Sequence, residues 1–171
     1  MNGTNFLLGV NFVIAMSFCL AFYVVSTRSR SKTAARWIAA GFAIASLSAL
    51  CELAVAHTDW VKIFAVGAFS TVLGGLQLLQ IGVARLYAQT INLNRQMLFF
   101  LTWTVVDLII YDLSRGSVAH AILYQTPFAL IALLAAQSVL KQQPRGGLDQ
   151  ALAVLLIVTG LHFFAKAFAA I

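Results

Sequence analysis

The segment that decides the fold is residues 35–56, ARWIAAGFAIASLSALCELAVA, in which apolar and small side chains run almost without interruption. A helix of this length crosses a membrane, because the hydrocarbon core is roughly 30 Å thick and a helix rises about 1.5 Å per residue. Five further apolar segments lie on either side, at residues 5–26, 61–87, 96–111, 118–140 and 148–171. The sequence therefore predicts an all-α, polytopic transmembrane bundle of about six helices, forming a single domain over residues 1–171.

The composition excludes a soluble protein. Hydrophobic residues make up 61% of the chain and charged residues only 9%, and the charges collect in the breaks between apolar segments. A water-soluble domain of this size needs far more polar surface. The net charge of +6 does not indicate nucleic-acid binding, because basic residues that flank apolar segments are typical of membrane topology and no basic face is present. The lipid bilayer is the predicted environment.

The basic residues also predict the orientation of the bundle. Eight of the 11 lysines and arginines fall in the breaks after the first, third and fifth segments: Arg28, Arg30, Lys32, Arg36, Arg85, Arg95, Lys141 and Arg145. We call this side the basic end, and the other side, with Lys62, Arg115 and Lys166, the opposite end. Short basic loops stay in the cytoplasm. The amino terminus is therefore expected on the outer face.

Polar residues inside the apolar segments are the candidates for function, since polar groups are costly in hydrocarbon. Counting helix rise from the outer face places several of them at one level in the outer half. Their shared depth suggests an outward-facing polar pocket for a small ligand, with Tyr124 and Phe163 available as walls. The candidate ligand-binding residues are Glu52, Asp107, Gln125, His162 and Lys166.

Other interpretations of the same residues stay open. Glu52 or Asp107 could pair with Lys166 in a purely structural ion pair. A small transporter or channel subunit would need a polar path through both leaflets, but Gln77 and Gln80 are the only sizeable polar groups expected in the inner half. A haem-bearing electron carrier is a third possibility, although no histidine or cysteine spacing supports a metal or cofactor. We expect no cofactor, no metal and no catalytic activity, because phosphate-loop and nucleophile motifs are absent.

Small residues recur at four-residue spacing in two segments. Gly41, Ala45 and Ala49 form one such stripe, and Gly67, Thr71 and Gly75 form the other. Small side chains let two backbones approach closely. The stripes therefore predict helix–helix seams.

Two stretches resemble the membrane-embedded sensor regions attached to GGDEF-type diguanylate cyclases of bacteria. They are RSRSKTAARWIAAGFAIASLSALCELA at residues 28–54 and TGLHFFAKAF at residues 159–168. The resemblance implies a multi-pass protein of the bacterial inner membrane that serves as a sensor, with Glu52, His162 and Lys166 at matching positions. Because such signals often pass through shifts in helix packing between two copies, a homodimer is the expected assembly. In that family a further span and a cytoplasmic cyclase follow, and this chain contains neither. The expected function is thus a signal-input domain, without the enzyme that it would control.

Overall fold

The computed structural model describes residues 3–29, 31–114, 117–142 and 146–169, and these ranges contain six α-helices. Each helix is long and apolar enough to cross a membrane. The predicted all-α, polytopic bundle is therefore confirmed, and the chain is a multi-pass membrane protein. The helices are α1 (Gly3–Arg28), α2 (Lys32–His57), α3 (Val61–Leu86), α4 (Leu93–Ile110), α5 (Val118–Leu140) and α6 (Gly147–Ala169).

The helix ends differ from the predicted ones by three residues at most. α5 begins and ends as predicted, whereas α4 begins at Leu93 instead of residue 96. The reason is a cap: the Asn92 side-chain oxygen accepts the backbone N–H groups of Asn94 at 3.0 Å and Arg95 at 3.2 Å. Such a cap starts a helix in a polar stretch that hydropathy alone leaves out. The last two residues of the predicted sixth span, and Arg30, Arg115 and Arg145, lie outside the described residues.

The helices form an open row rather than a closed ring, with α1 at one edge and α6 at the other. Among the described helices, α1 contacts only α2, and α6 contacts only α5. Between these edges, α2 packs on α3, α3 packs on α5, and α4 contacts both α3 and α5. α1 and α6 are consequently far apart, and a site can form only between helices that neighbour each other in this order.

The closest approach in the bundle is the seam between α2 and α3. A Cβ atom built on Gly75 would lie 2.6 Å from the Cβ of Ala45 and 2.7 Å from the carbonyl oxygen of Gly41. A Cβ on Gly41 would lie 2.8 Å from the carbonyl oxygen of Gly75. The two stripes of small residues therefore face each other, and the predicted helix–helix seams are confirmed at these positions.

The central core joins α3 to α5. It consists of Phe69, Leu73, Phe128 and Ile131, all nearly inaccessible. The ring of Phe69 lies 5.1 Å from those of both Tyr124 and Phe128, measured between centroids. Aromatic pairs at this separation add specific contacts to simple burial. The core therefore holds α5 against α3, and α4 lies alongside these two helices.

Polar contacts tie the helices together at the basic end. The Tyr87 hydroxyl, just after α3, donates to the Asp149 carboxylate of α6 at 2.7 Å. The Gln89 side-chain amide donates to the Ser138 carbonyl of α5 at 2.7 Å. The segment after α3 thus connects α5 and α6, although α3 and α6 do not pack on each other.

The Tyr87–Asp149 bond predicts an unusual tyrosine titration. Burial, together with the hydrogen bond to Asp149, raises the pKa of Tyr87 to about 12. The neutral phenol is the favoured form in the folded state, so its stabilising effect is complete below the ordinary tyrosine pKa of about 10 and is lost as pH rises through about 12. Ultraviolet titration of the tyrosinates should show a late step that is missing in Tyr87→Phe.

The control for this titration is Asp149→Asn, which removes the carboxylate but keeps an acceptor oxygen. The pKa of Tyr87 should then fall towards 10 without reaching it, because burial remains. A late step that persists unchanged in Tyr87→Phe would assign it to another tyrosine and contradict the prediction.

Candidate functional site

Asp107 is the buried acid of the transmembrane region. It lies in the last turn of α4, and only 6% of its surface is exposed. Its carboxyl group makes no hydrogen bond or ion pair with any other described residue. Among the described residues, no fully buried side-chain oxygen or nitrogen atom lacks a hydrogen-bond partner, so the carboxyl oxygens of Asp107 keep some accessible surface through which a partner can reach them. Such a residue inside a membrane helix is the default candidate for a functional group.

Polar side chains surround the level of Asp107 along the contact between α3 and α4. One turn before Asp107, the hydroxyl groups of Thr104 and Ser70 lie 3.3 Å apart. Just beyond α4, Lys62 and Asp112 form a 2.7 Å salt bridge between two exposed side chains. Asp107 therefore lies between two polar contacts, one towards the core and one at the opposite end.

α5 brings a second group of polar residues to this level. The Nδ1 atom of His120 lies 3.1 Å from the carbonyl oxygen of Ile110, and Nδ1 carries the hydrogen because a carbonyl only accepts. The imidazole also stacks on Tyr124, with 5.9 Å between ring centroids. Since α4 and α5 run in opposite directions, this contact places Gln125 at about the depth of Asp107. Gln125 is half-buried.

α6, which packs on α5, carries two further candidate residues, His162 and Lys166. Phe163 packs against Phe128, with 5.5 Å between ring centroids. Lys166 lies three residues beyond Phe163, so the antiparallel packing brings it to the depth of Gln125. Both His162 and Lys166 are exposed. Asp107, Gln125 and Lys166 thus share one depth on three successive neighbouring helices.

Glu52 lies apart from this group. It is exposed on α2, and α2 contacts only α1 and α3 among the described helices. Helix rise places Glu52 in the outer half, but α3 and α5 separate α2 from α6, which carries Lys166. In the part of the chain that is described, the only salt bridge joins Lys62 and Asp112, so Lys166 pairs with neither Glu52 nor Asp107. The structural ion pair considered from the sequence is therefore not formed between those residues.

No family model, curated protein or solved structure matches the chain. The resemblance to cyclase-linked sensor regions accordingly stays a prediction. Within the described ranges, no group of three or more histidine, cysteine, aspartate or glutamate side chains could hold a metal ion. The positions of its own residues therefore define the candidate site.

Sequence reasoning missed a continuous polar seam between α3 and α4. Three side-chain contacts cross it at successive depths: Lys62 with Asp112, Ser70 with Thr104, and Gln77 with Gln96. The Gln77 amide donates to the Gln96 backbone oxygen at 3.0 Å and to its side-chain oxygen at 3.2 Å. Part of the signal is present in the sequence, because Lys62, Ser70 and Gln77 recur on α3 at spacings of eight and seven residues, which keeps them near one face of that helix. Their partners are Gln96 and Thr104 on α4 and Asp112 just beyond it.

Proposed function

We propose that this chain is the signal-input domain of a sensor protein of the bacterial inner membrane. It binds a small polar ligand in the outer half, where Asp107, Gln125 and Lys166 share one depth on α4, α5 and α6. The observation that carries the proposal is Asp107, a largely buried residue whose carboxyl group makes no hydrogen bond or ion pair with another described residue. A binding ligand would supply that partner. In the full signalling protein, a cytoplasmic output such as a diguanylate cyclase would receive the signal.

Signalling requires two states of the bundle that bind the ligand with different affinity. The polar seam between α3 and α4 offers such a pair of states. Its three contacts join single side chains and lie about 10–12 Å apart along the helices, so a tilt or small shift of α4 against α3 would break or remake individual contacts without exchanging partners. The close packing of Gly41 against Gly75 holds α2 and α3 together while α4 moves. Ligand binding at Asp107 would thereby move α4 against a fixed frame.

The test is native mass spectrometry of the gently solubilised protein. A co-purifying small molecule should be present in the wild type and lost in Asp107→Asn and in Lys166→Met. Glu52→Gln is the matched control, because Glu52 lies at a similar depth on α2 but outside this group of helices. Retention of the bound mass in Asp107→Asn, or its loss in Glu52→Gln alone, would contradict the proposal.

A transporter is the second candidate, and the polar seam is the observation that favours it. Gln77 with Gln96 lies towards the basic end, and Lys62 with Asp112 at the opposite end, so polar side chains reach both leaflets. Proteoliposomes that enclose a pH-sensitive dye distinguish the two candidates. Proton flux that depends on Asp107 would favour transport, whereas tight liposomes with a ligand-dependent spectroscopic change would favour sensing.

A further inference from the structure

An apolar groove lies in the half of the bundle towards the basic end, where α2 and α4 flank α3. It has a volume of about 350 Å³. Trp37 and Ile44 of α2 form one wall, and Met97 and Phe100 of α4 form the other. Gly74 of α3 lies on the floor, where its lack of a side chain lets Phe100 and Ile44 come close to the backbone. Met97 is 65% exposed, so the groove opens sideways to the bilayer.

The basic end of the groove is polar. Gln96, in the first turn of α4, lines it, and its carboxamide oxygen accepts from Gln77. The amide N–H groups of Gln96 have no acceptor among the described residues. An ester carbonyl that entered the groove could accept from them. The groove thus combines a polar mouth with an apolar interior, which matches the build of a phospholipid.

Three exposed arginines lie at the basic end of α2, α3 and α4, at about the depth of this mouth. Arg85 lies one turn beyond Ile81, on the same face of α3 that lines the groove, while Arg36 and Arg95 directly precede two of its lining residues. None of these arginines forms a salt bridge with another described residue. The amino-terminal end of α4 adds the positive end of a helix dipole. Asp149 of α6 also reaches this end, where its carboxylate accepts from Tyr87 just after α3, but it forms no salt bridge with any of the three arginines.

We propose that this groove is a binding site for an anionic phospholipid. One acyl chain lies in the groove between Trp37 of α2 and Met97 of α4, and the phosphate group lies towards Arg85, with Arg36 and Arg95 adding positive charge at the same end. Basic residues between membrane helices select anionic headgroups, with each contributing to the attraction over a short range. The apolar groove provides the second requirement, because it holds a chain beside a fixed headgroup site. This site is separate from the ligand site proposed at Asp107, at the opposite end.

The test uses Trp37 as a reporter inside the groove. The full chain is prepared with Trp60→Phe and Trp103→Phe, so that Trp37 is the only tryptophan, in bilayers of phosphatidylcholine. Phosphatidylglycerol with brominated acyl chains is then added at a small fraction and quenches any tryptophan that it touches. We expect several-fold stronger quenching of Trp37 by this lipid than by brominated phosphatidylcholine at the same fraction.

Charge variants distinguish a specific site from general attraction. Arg85→Gln should weaken the apparent affinity for phosphatidylglycerol about fivefold, and Arg85→Lys should retain most of it. Lys141→Gln is the matched control, because it removes one exposed charge at the same end but away from the groove. Equal quenching of Trp37 by the two lipids would overturn the proposal, and so would an equal loss in Lys141→Gln and Arg85→Gln. A chain that keeps only Trp60 should show no preference between the lipids.

Discussion

Replacing Gly75 by alanine should lower the free energy of unfolding by about 1–3 kcal/mol, because overpacking of a close seam forces backbones apart. The added Cβ would meet the Cβ of Ala45 at 2.6 Å and the carbonyl oxygen of Gly41 at 2.7 Å. Neither neighbour is a flexible side-chain end, so α2 as a whole must move. Titration with sodium dodecyl sulfate in mixed micelles, followed by circular dichroism, measures the loss.

Gly74→Ala is the matched control for this substitution, one residue earlier on the same helix. A Cβ at Gly74 would lie 3.3 Å from the ring edge of Phe100 and 3.6 Å from the Ile44 side chain, which are groups that can adjust. Its effect on stability should be small. If both substitutions were equally mild, the close approach of α2 and α3 would not be a main source of stability in this bundle.

The sequence predicts the helices well because the bilayer imposes a simple rule on it. Each span must be long and apolar, so six segments were recognisable by composition alone. α5 was predicted at both ends, since Ser117 caps its start and the polar Lys141 ends the apolar run. The start of α4 was missed because a capping Asn92 begins the helix among polar residues. Local hydrogen bonding decided that boundary, and hydropathy does not report it.

The candidate site was predictable in depth but not in lateral position. Helix rise gave a common level for five polar residues, and Asp107, Gln125 and Lys166 do share that level on adjoining helices. Glu52 has a suitable depth as well, yet it lies on α2, away from α6. Depth follows from sequence position, whereas the order of helices around a bundle depends on side-chain packing between distant segments. The glycine stripes identified one such seam, but the polar seam between α3 and α4 required pairing residues from both helices.

The second large effect is expected at Asp107, whose replacement by asparagine should increase the stability of the bundle. Asp107→Asn keeps the shape of the side chain and removes the possibility of a buried charge. The uncharged amide is less costly to bury than an ionised carboxyl but finds no more partners among the described residues, so the substitution should raise the free energy of unfolding at neutral pH by about 1 kcal/mol. Residues that cost stability in this way are typical of functional sites. The same variant should lose the bound ligand in native mass spectrometry.

Asp112→Asn is the matched control, five residues later in the chain. Asp112 is exposed and pairs with Lys62, so its loss should change the free energy of unfolding by less than about 1 kcal/mol, in the destabilising direction. The two aspartates should therefore respond with opposite signs. If Asp107→Asn instead destabilised the bundle while the ligand stayed bound, the carboxyl would be a structural group. The ligand site would then have to be sought along the polar seam between α3 and α4, where the transporter interpretation places the path.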